Sequence, residues 1–338
     1  MKIWQATGPG RENLRLADIP TPSPGIGEVL VRVKAVSLNY RDRLLIENNG
    51  YSAFGLPFTP CSDLAGEIAA VGAGVTRFTT GDRVVNNFLA GWIDGAPPRV
   101  AGEVPSFGGP LPGVLAEYVS LPAEWLVMSP TALSDVEAST LPCAGLTAWT
   151  SLIELGGLVP GQTVVVQGTG GVSLFALQMA SGFGAEVIVT TTNASKADRV
   201  KALGASHVIN RAEAADWASA VLEATDGRGA DHIVEVAGGA NVENSIRALA
   251  PNGRISLVGV IEGFHSSFPS VPAIHAFATI QAVFVGHRNG LERLIRSIDV
   301  TGLKPIIDSE FAFEEFHDAL ARADQGPFGK VVMVASNH

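Results

Sequence analysis

Residues Thr163–Lys196 read TVVVQGTGGVSLFALQMASGFGAEVIVTTTNASK. Thr163 to Gln167 has strand character and runs straight into Gly168, Gly170 and Gly171. An apolar run at helical spacing follows (Val172, Leu174, Phe175, Leu177, Met179), Gly184 breaks it, and a second strand begins at Glu186. Strand, glycine turn, helix and strand in that order, over about 30 residues, is the layout that a dinucleotide pyrophosphate needs. The glycines let backbone pass close to phosphate, and the free N–H groups of the helix N-terminus attract the anion. The third glycine position of G-x-G-x-x-G is Ser173, so the helix is expected to sit slightly looser on its strand.

Around this unit lie 338 residues, too many for one ordinary core and suited to two domains. A hydrophobic share of 46% with 17% charged residues describes a well-buried soluble chain. No apolar run approaches the ~20 residues that cross a bilayer. The start, MKIWQATGPG, lacks a signal-peptide layout, so a cytoplasmic location is expected. The net charge is −10 without a basic cluster, which argues against nucleic acid and anionic membrane as partners. Two cysteines, Cys61 and Cys143, make neither a disulfide framework nor a four-cysteine zinc lobe.

Residues 1 to about 125 read as mostly β. Glu28–Val36 alternates as a half-buried strand does, and Asp63–Val71 and Leu115–Val127 are further strands. Ser37–Glu47 is a loop leading into a short helix. Residues 86–113, rich in Gly and Pro but also apolar, form a long functional loop. Ser134–Leu155 reads as one helix, capped near Ser134 and stopped by Gly156-Gly157. From Thr163 apolar strands alternate with helices, as in a parallel sheet covered on both faces. After AVFVG (282–286) come a helix over Gly290–Thr301, the segment KPIID, a helix near Phe313–Ala323 and the strand KVVMVA, which are expected to rejoin the first domain.

Six motifs follow one another along the chain: GEVLVRVKAVSLNYRD, the block from Pro60 to Val75, GDRV at 81–84, LPCAGLTAW at 141–149, GTGGVS at 168–173 and KALGASHVIN at 201–210. In this order they resemble the medium-chain dehydrogenase/reductase superfamily, zinc-independent quinone oxidoreductase-like branch. The resemblance covers nearly the whole length. It implies an α/β protein with a GroES-like mostly-β catalytic domain (1–144 and 288–338) and a Rossmann doubly wound parallel sheet domain (145–287). It also implies a nicotinamide-dependent oxidoreductase and a homodimer paired through the sheet edge near Ala282–Gly286.

In the zinc-dependent branch three residues hold the metal. Here Asn39 stands at the first place and Ser62 at the second, and the third is kept as Cys143. No histidine precedes His207. One cysteine with an asparagine and a serine is not a zinc site, and Cys143 reads as a small residue near the nicotinamide.

At the end of the second Rossmann strand, an NAD-preferring protein places an acid for the ribose 2′-OH. This chain has Thr191, Thr192 and Asn193, with Lys196 and Arg199 beyond. Hydroxyls and cations without an acid favour a 2′-phosphate, hence NADPH over NADH. Gly168, Thr169, Gly170, Gly171 and Val172 are expected at the pyrophosphate. Ala237, Gly238, Gly259, Val260, Val285 and Gly286, at carboxyl ends of strands, are expected along the rest of the cofactor.

Without a metal Lewis acid, conjugated acceptors are the easier substrates. A quinone or an α,β-unsaturated carbonyl takes hydride at carbon and needs hydrogen-bond donors and a proton at oxygen. Asn39 and Tyr51 are the catalytic candidates; the resemblance puts an enoyl-reductase tyrosine near the place of Tyr51, which otherwise is a loop aromatic. Phe88 and Trp92 either wall an apolar pocket or fill the loop's own core. Asp42 and Asp63 read as structural carboxylates that bond loop amides or Arg41 and Arg43, with a catalytic role or a metal as the alternatives. The alternatives are an alcohol dehydrogenase of the zinc-type family acting on small alcohols or aldehydes, and a nucleotide-binding, crystallin-like protein without activity.

Overall fold

The computed structural model of the chain describes residues 1–48, 50–98 and 104–335, leaving the Tyr51 side chain aside. It divides into two units, 1–146 with 285–338, and 147–284.

The first unit is mostly β. Strands β1 (Lys2–Ala6) and β2 (Leu14–Asp18) form an antiparallel hairpin. The long β3 (Glu28–Ser37) pairs antiparallel with β4 (Asp63–Val71), their registers running from Val29↔Val71 to Ser37↔Asp63. Val29, Val31, Val33 and Val36 are buried from β3, and they meet Leu64 and Ile68 from β4 in one core. Gly66 has a packing reason: a Cβ there would lie 2.4 Å from the Arg32 carbonyl oxygen across the ladder. β5 (Arg83–Asn86) continues the sheet. The single strand expected over Leu115–Val127 is instead β6 (Tyr118–Pro122) and β7 (Leu126–Met128), separated by a short 3₁₀ turn. Pro122 has no N–H to carry a ladder onward, and the two strands join different neighbours, β3 and β5.

The helix expected over Ser134–Leu155 is interrupted. Ser134 does cap Asp135–Ala138, and its side chain accepts from the Glu137 N–H. Leu141–Gly145 and Thr150–Glu154 are then π-helical turns around the α-helical Leu146–Trp149. Pro142 lacks the N–H that an α-helix would need there.

The second unit is an α/β layer. Strands β8 (Thr163–Gln167), β9 (Glu186–Thr191), β10 (His207–Asn210), β11 (Ala230–Glu235), β12 (Leu249–Leu257) and β13 (Thr279–Ala282) are all parallel, in the order β10-β9-β8-β11-β12-β13. The order reverses at β8, which makes its carboxyl end the switch point where ligands bind in such sheets. Val164, Val165 and Val166 are fully buried, as strands covered on both faces must be. The edge strand lies over Thr279–Ala282 and not over Ala282–Gly286, because Val285 takes a left-handed φ of 59° and turns the chain out of the sheet.

The chain then returns to the first unit. A helix over Arg288–Thr301 precedes β14 (Ile307–Ala312) and β15 (Lys330–Val334). β15 pairs antiparallel with β3, with Val332 opposite Ser37. Two residues further out on each strand, that register sets Lys330 against Asn39. Among the described residues, no helix is long and apolar enough to cross a membrane.

Candidate active site

Asn39 is the N-cap of the helix Tyr40–Glu47, and its backbone N–H donates to Asp42 Oδ2 at 2.8 Å. Its side chain begins a directed chain of hydrogen bonds. Lys330 Nζ donates to Asn39 Oδ1 at 2.6 Å and to the Leu38 carbonyl at 2.5 Å. Asn39 Nδ2 donates to Ser62 Oγ at 3.1 Å, and Ser62 Oγ donates to Asp63 Oδ1 at 2.7 Å. Asp63 Oδ2 accepts from the Cys143 N–H at 3.1 Å. An ammonium has no acceptor to offer, so the asparagine atom facing it must be oxygen, which fixes the amide orientation. A carboxylate only accepts, so the Ser62 proton points to Asp63 and its lone pair to Asn39. Every direction from cation to anion is thereby set.

The sheet explains why these residues meet. Asn39 follows β3, Ser62 precedes β4 and Asp63 opens it, Lys330 opens β15, and these three strands are neighbours. Asn86 adds a brace from the end of β5: its Nδ2 donates to the Ser62 carbonyl and its Oδ1 accepts from the Leu64 N–H, both at 2.8 Å.

Burial shapes the charges. Asp42, Ser62 and Asp63 are wholly inaccessible, and Lys330 nearly so at 5%. Desolvation pushes the Asp42 carboxyl up to about 6, against a hydrogen bond from Asn39 and the charge of Arg41. It pushes Asp63 up as well, opposed first by the Lys330 charge and then by the bonds from Asn39 and Ser62. The thiols of Cys61 and Cys143 are raised far above their ordinary range, by burial first and by the neighbouring carboxylates second. Among the described residues, no group of three or more His, Cys, Asp or Glu is placed to hold a metal ion.

The other substrate-side candidates fall out as follows. Phe88 is fully buried, and the Arg41 guanidinium lies 5.1 Å from its ring centroid. Arg41 also donates to the carbonyls of Phe107 (2.7 Å) and Gly109 (2.9 Å), so Phe88 belongs to the loop's own packing. Trp92 donates through Nε1 to the Gly95 carbonyl at 3.0 Å and meets the His287 ring edge-on. The Tyr51 side chain lies outside the described residues.

All the cofactor-side candidates but Val285 and Gly286 lie in the second unit, near the carboxyl edge of its sheet. Gly168 has φ 75°, and the space beside its Cα and that of Gly170 is open to 4 Å. Gly170 caps the helix Gly171–Gly182, which carries Gly171 and Val172 in its first turn. That turn's N–H groups are placed for an anion, and the residues present fit a dinucleotide pyrophosphate. The looser packing expected at Ser173 is not found. Ser173 is buried and donates to the Gln167 carbonyl at 2.6 Å, tying the helix to β8.

Thr191 closes β9 and is buried, with its hydroxyl accepting from the Asn193 N–H at 3.1 Å. Thr192, Asn193 and Arg199 are exposed. Lys196 Nζ donates to Thr169 Oγ1 at 3.0 Å, joining the end of β9 to the glycine turn. Ala237, Gly238, Gly259 and Val260 follow β11 and β12, whereas Val285 and Gly286 fall in the first unit.

Three residues beside these candidates were not expected. Lys330 is one, visible in sequence only as the first residue of a strand. Glu235 is the second: fully buried, it accepts from Gln167 Nε2 (2.8 Å), Ser245 Oγ (2.5 Å), Asn241 Nδ2 (2.9 Å) and the N–H groups of Ala237 and Gly238 (both 2.9 Å). It thereby shapes the turn after β11. The third is Arg211, next to β10.

Comparison with known proteins agrees with the two-domain fold. Residues 25–131 match the alcohol dehydrogenase GroES-like domain family, and residues 171–299 match the zinc-binding dehydrogenase family. A zinc-type alcohol dehydrogenase-like protein of Schizosaccharomyces pombe is 39% identical over 314 residues, covering 91% of this chain and 90% of the relative. A chloroplastic quinone-oxidoreductase of Triphysaria versicolor is 29% identical, covering 98% and 96%. The crystal structure of a putative alcohol dehydrogenase from Sinorhizobium meliloti 1021 superposes with a TM-score of 0.95 at 50% identity over 98% of both chains.

Proposed function

We propose that this chain, an oxidoreductase that belongs to the medium-chain dehydrogenase/reductase superfamily, reduces quinones or α,β-unsaturated carbonyls with NADPH and without zinc. The observation that carries the reading is the directed chain Lys330–Asn39–Ser62–Asp63. Zinc takes thiolate, imidazole or carboxylate ligands. The amide of Asn39 and the hydroxyl of Ser62, beside the Lys330 ammonium, leave Cys143 as the one such ligand and do not fit it. The same set suits an oxygen that becomes negative.

When bound, the nicotinamide supplies the hydride. Asn39 meets the electron pair that arrives on the acceptor oxygen. One of its two Nδ2 protons is bonded to Ser62, and the other remains to donate to an oxyanion. The Lys330 charge polarises that amide through Oδ1 and holds it in the donating orientation. Ser62 and Asp63 keep the Nδ2 end from turning.

The preference for NADPH is supported by the absence of an acid at Thr191–Asn193 and by Lys196 beside Thr169. A homodimer is supported by the open edge of β13, near which Ile274, Phe277 and Phe284 are 66%, 72% and 49% exposed. A cytoplasmic setting completes the proposal.

The test is direct. Chelator-treated protein is expected to oxidise NADPH with a quinone or an enone. Activity that needs added zinc and appears only with primary or secondary alcohols would replace this reading with the alcohol dehydrogenase one. Nucleotide binding without turnover of any carbonyl in a broad panel would replace it with a non-enzymatic role.

A further inference from the structure

Arg211 and Glu262 form an ion pair of 2.8 Å between the segments that follow β10 and β12. Their backbones are anchored apart. The Arg211 N–H donates to the Thr191 carbonyl at the end of β9, and the Glu262 N–H donates to the Ala237 carbonyl just beyond β11, each at 2.7 Å. With β8 between β9 and β11, these anchors stand about two strand spacings apart, roughly 10 Å. The two side chains therefore close a bridge across the carboxyl edge of the sheet at its switch point. That is the crevice in which a dinucleotide binds.

The place of Arg211 within that crevice is specific. Its main chain is bonded to Thr191, the residue at which Rossmann proteins read the ribose 2′ position. Its guanidinium is only partly accessible, at 23%, and its partner is a carboxylate, an anion of the geometry that a phosphate presents. We propose that Arg211 recognises the 2′-phosphate of NADPH and that Glu262 is its internal competitor. The carboxylate holds the guanidinium in place before the nucleotide arrives and yields it to the phosphate. This proposal rests on the NADPH reading above and adds to it a residue from outside the β9 end.

The experiment separates the two claims. The protein and three variants are titrated calorimetrically with adenosine 2′,5′-bisphosphate and with 5′-ADP, which lacks the 2′-phosphate. Arg211→Ala is expected to weaken the bisphosphate about ten-fold or more and 5′-ADP less than about two-fold. Glu262→Gln is expected to tighten the bisphosphate several-fold by removing the competing charge. Equal weakening of both ligands by Arg211→Ala, or no change, overturns the proposal, as does a Glu262→Gln variant that binds the bisphosphate more weakly. If Lys196→Ala abolishes the preference for the bisphosphate while Arg211→Ala leaves it intact, the NADPH reading stands and the role of Arg211 falls. If the unaltered protein prefers 5′-ADP yet both Arg211 and Glu262 variants shift the bisphosphate as stated, the NADPH reading falls and the competition stands.

Discussion

Lys330 Nζ lies 2.6 Å from Asn39 Oδ1, although 291 residues separate them along the chain. This contact turns a common amide into an oriented donor, because the lysine only donates and so bonds the oxygen end. Asn39→Asp keeps a partner for Lys330 and loses the N–H. It is expected to lower kcat/KM for an enone or quinone about 10²-fold or more, a loss on the order of 3 kcal/mol, with the KM for NADPH little changed. Lys330→Met strips the positive charge from the buried Asp63 carboxylate and is expected to cost roughly 3 kcal/mol in urea unfolding at neutral pH. Wild-type turnover by Asn39→Asp would remove the asparagine from the mechanism.

Asp42 makes stability depend on pH. Its carboxyl is raised from 3.8 to about 6 in the folded protein. A raised acid binds its proton more tightly when folded, so the stability it contributes is present below pH 3.8 and is lost as pH rises through 6. A rise of that size corresponds to about 3 kcal/mol over the whole titration. Asp42→Asn has no such titration. Chemical denaturation at pH 4 and pH 7 should therefore show the variant gaining about 2–3 kcal/mol on the unaltered protein over that interval, whatever the constant offset between them. A flat difference would mean that Asp42 titrates normally.

Glu235 is surrounded by donors. Glu235→Gln turns an N–H toward groups that themselves donate, among them Gln167 Nε2 and the N–H groups of Ala237 and Gly238. The expected cost is about 2–4 kcal/mol, with weaker nucleotide binding because the turn after β11 loses its organiser. Fluorescence titration with NADPH and urea unfolding check both parts; nucleotide affinity unchanged in a destabilised variant would limit Glu235 to stability.

Lys196 and Thr191 bear on the choice of nicotinamide. Lys196→Ala removes a cation, and Thr191→Asp adds an acid where the ribose 2′ position is read. Each is expected to lower the ratio of kcat/KM for NADPH over NADH about ten-fold or more. Steady-state kinetics with both nucleotides measure it, and an unchanged ratio would locate the discrimination elsewhere.

The stretch from Thr163 to Lys196 determined its own structure from its residues alone. An apolar strand, a glycine turn and an apolar helix state local preferences that no distant contact has to supply, and β8 spans Thr163–Gln167 as read. Asp63–Val71 was equally legible, since its turns and apolar run mark both ends. Positions that depend on pairing were not. Asn39, Ser62 and Cys143 could be set in order along the chain, yet nothing local showed that Lys330 stands among them, because that follows from β15 pairing with β3. The bridge between Arg211 and Glu262 likewise follows from strand order, which sequence spacing does not state. Packing decided Ser173, which became a tie to Gln167 instead of a loose substitute for glycine. Pro142, by contrast, was a local signal: its missing N–H interrupted a helix that apolar periodicity would have carried through. Sequence determined what each segment is, through backbone preference and the periodicity of apolar residues. Tertiary structure decided which charges face one another, since buried charges depend on partners that only the fold brings within hydrogen-bond reach.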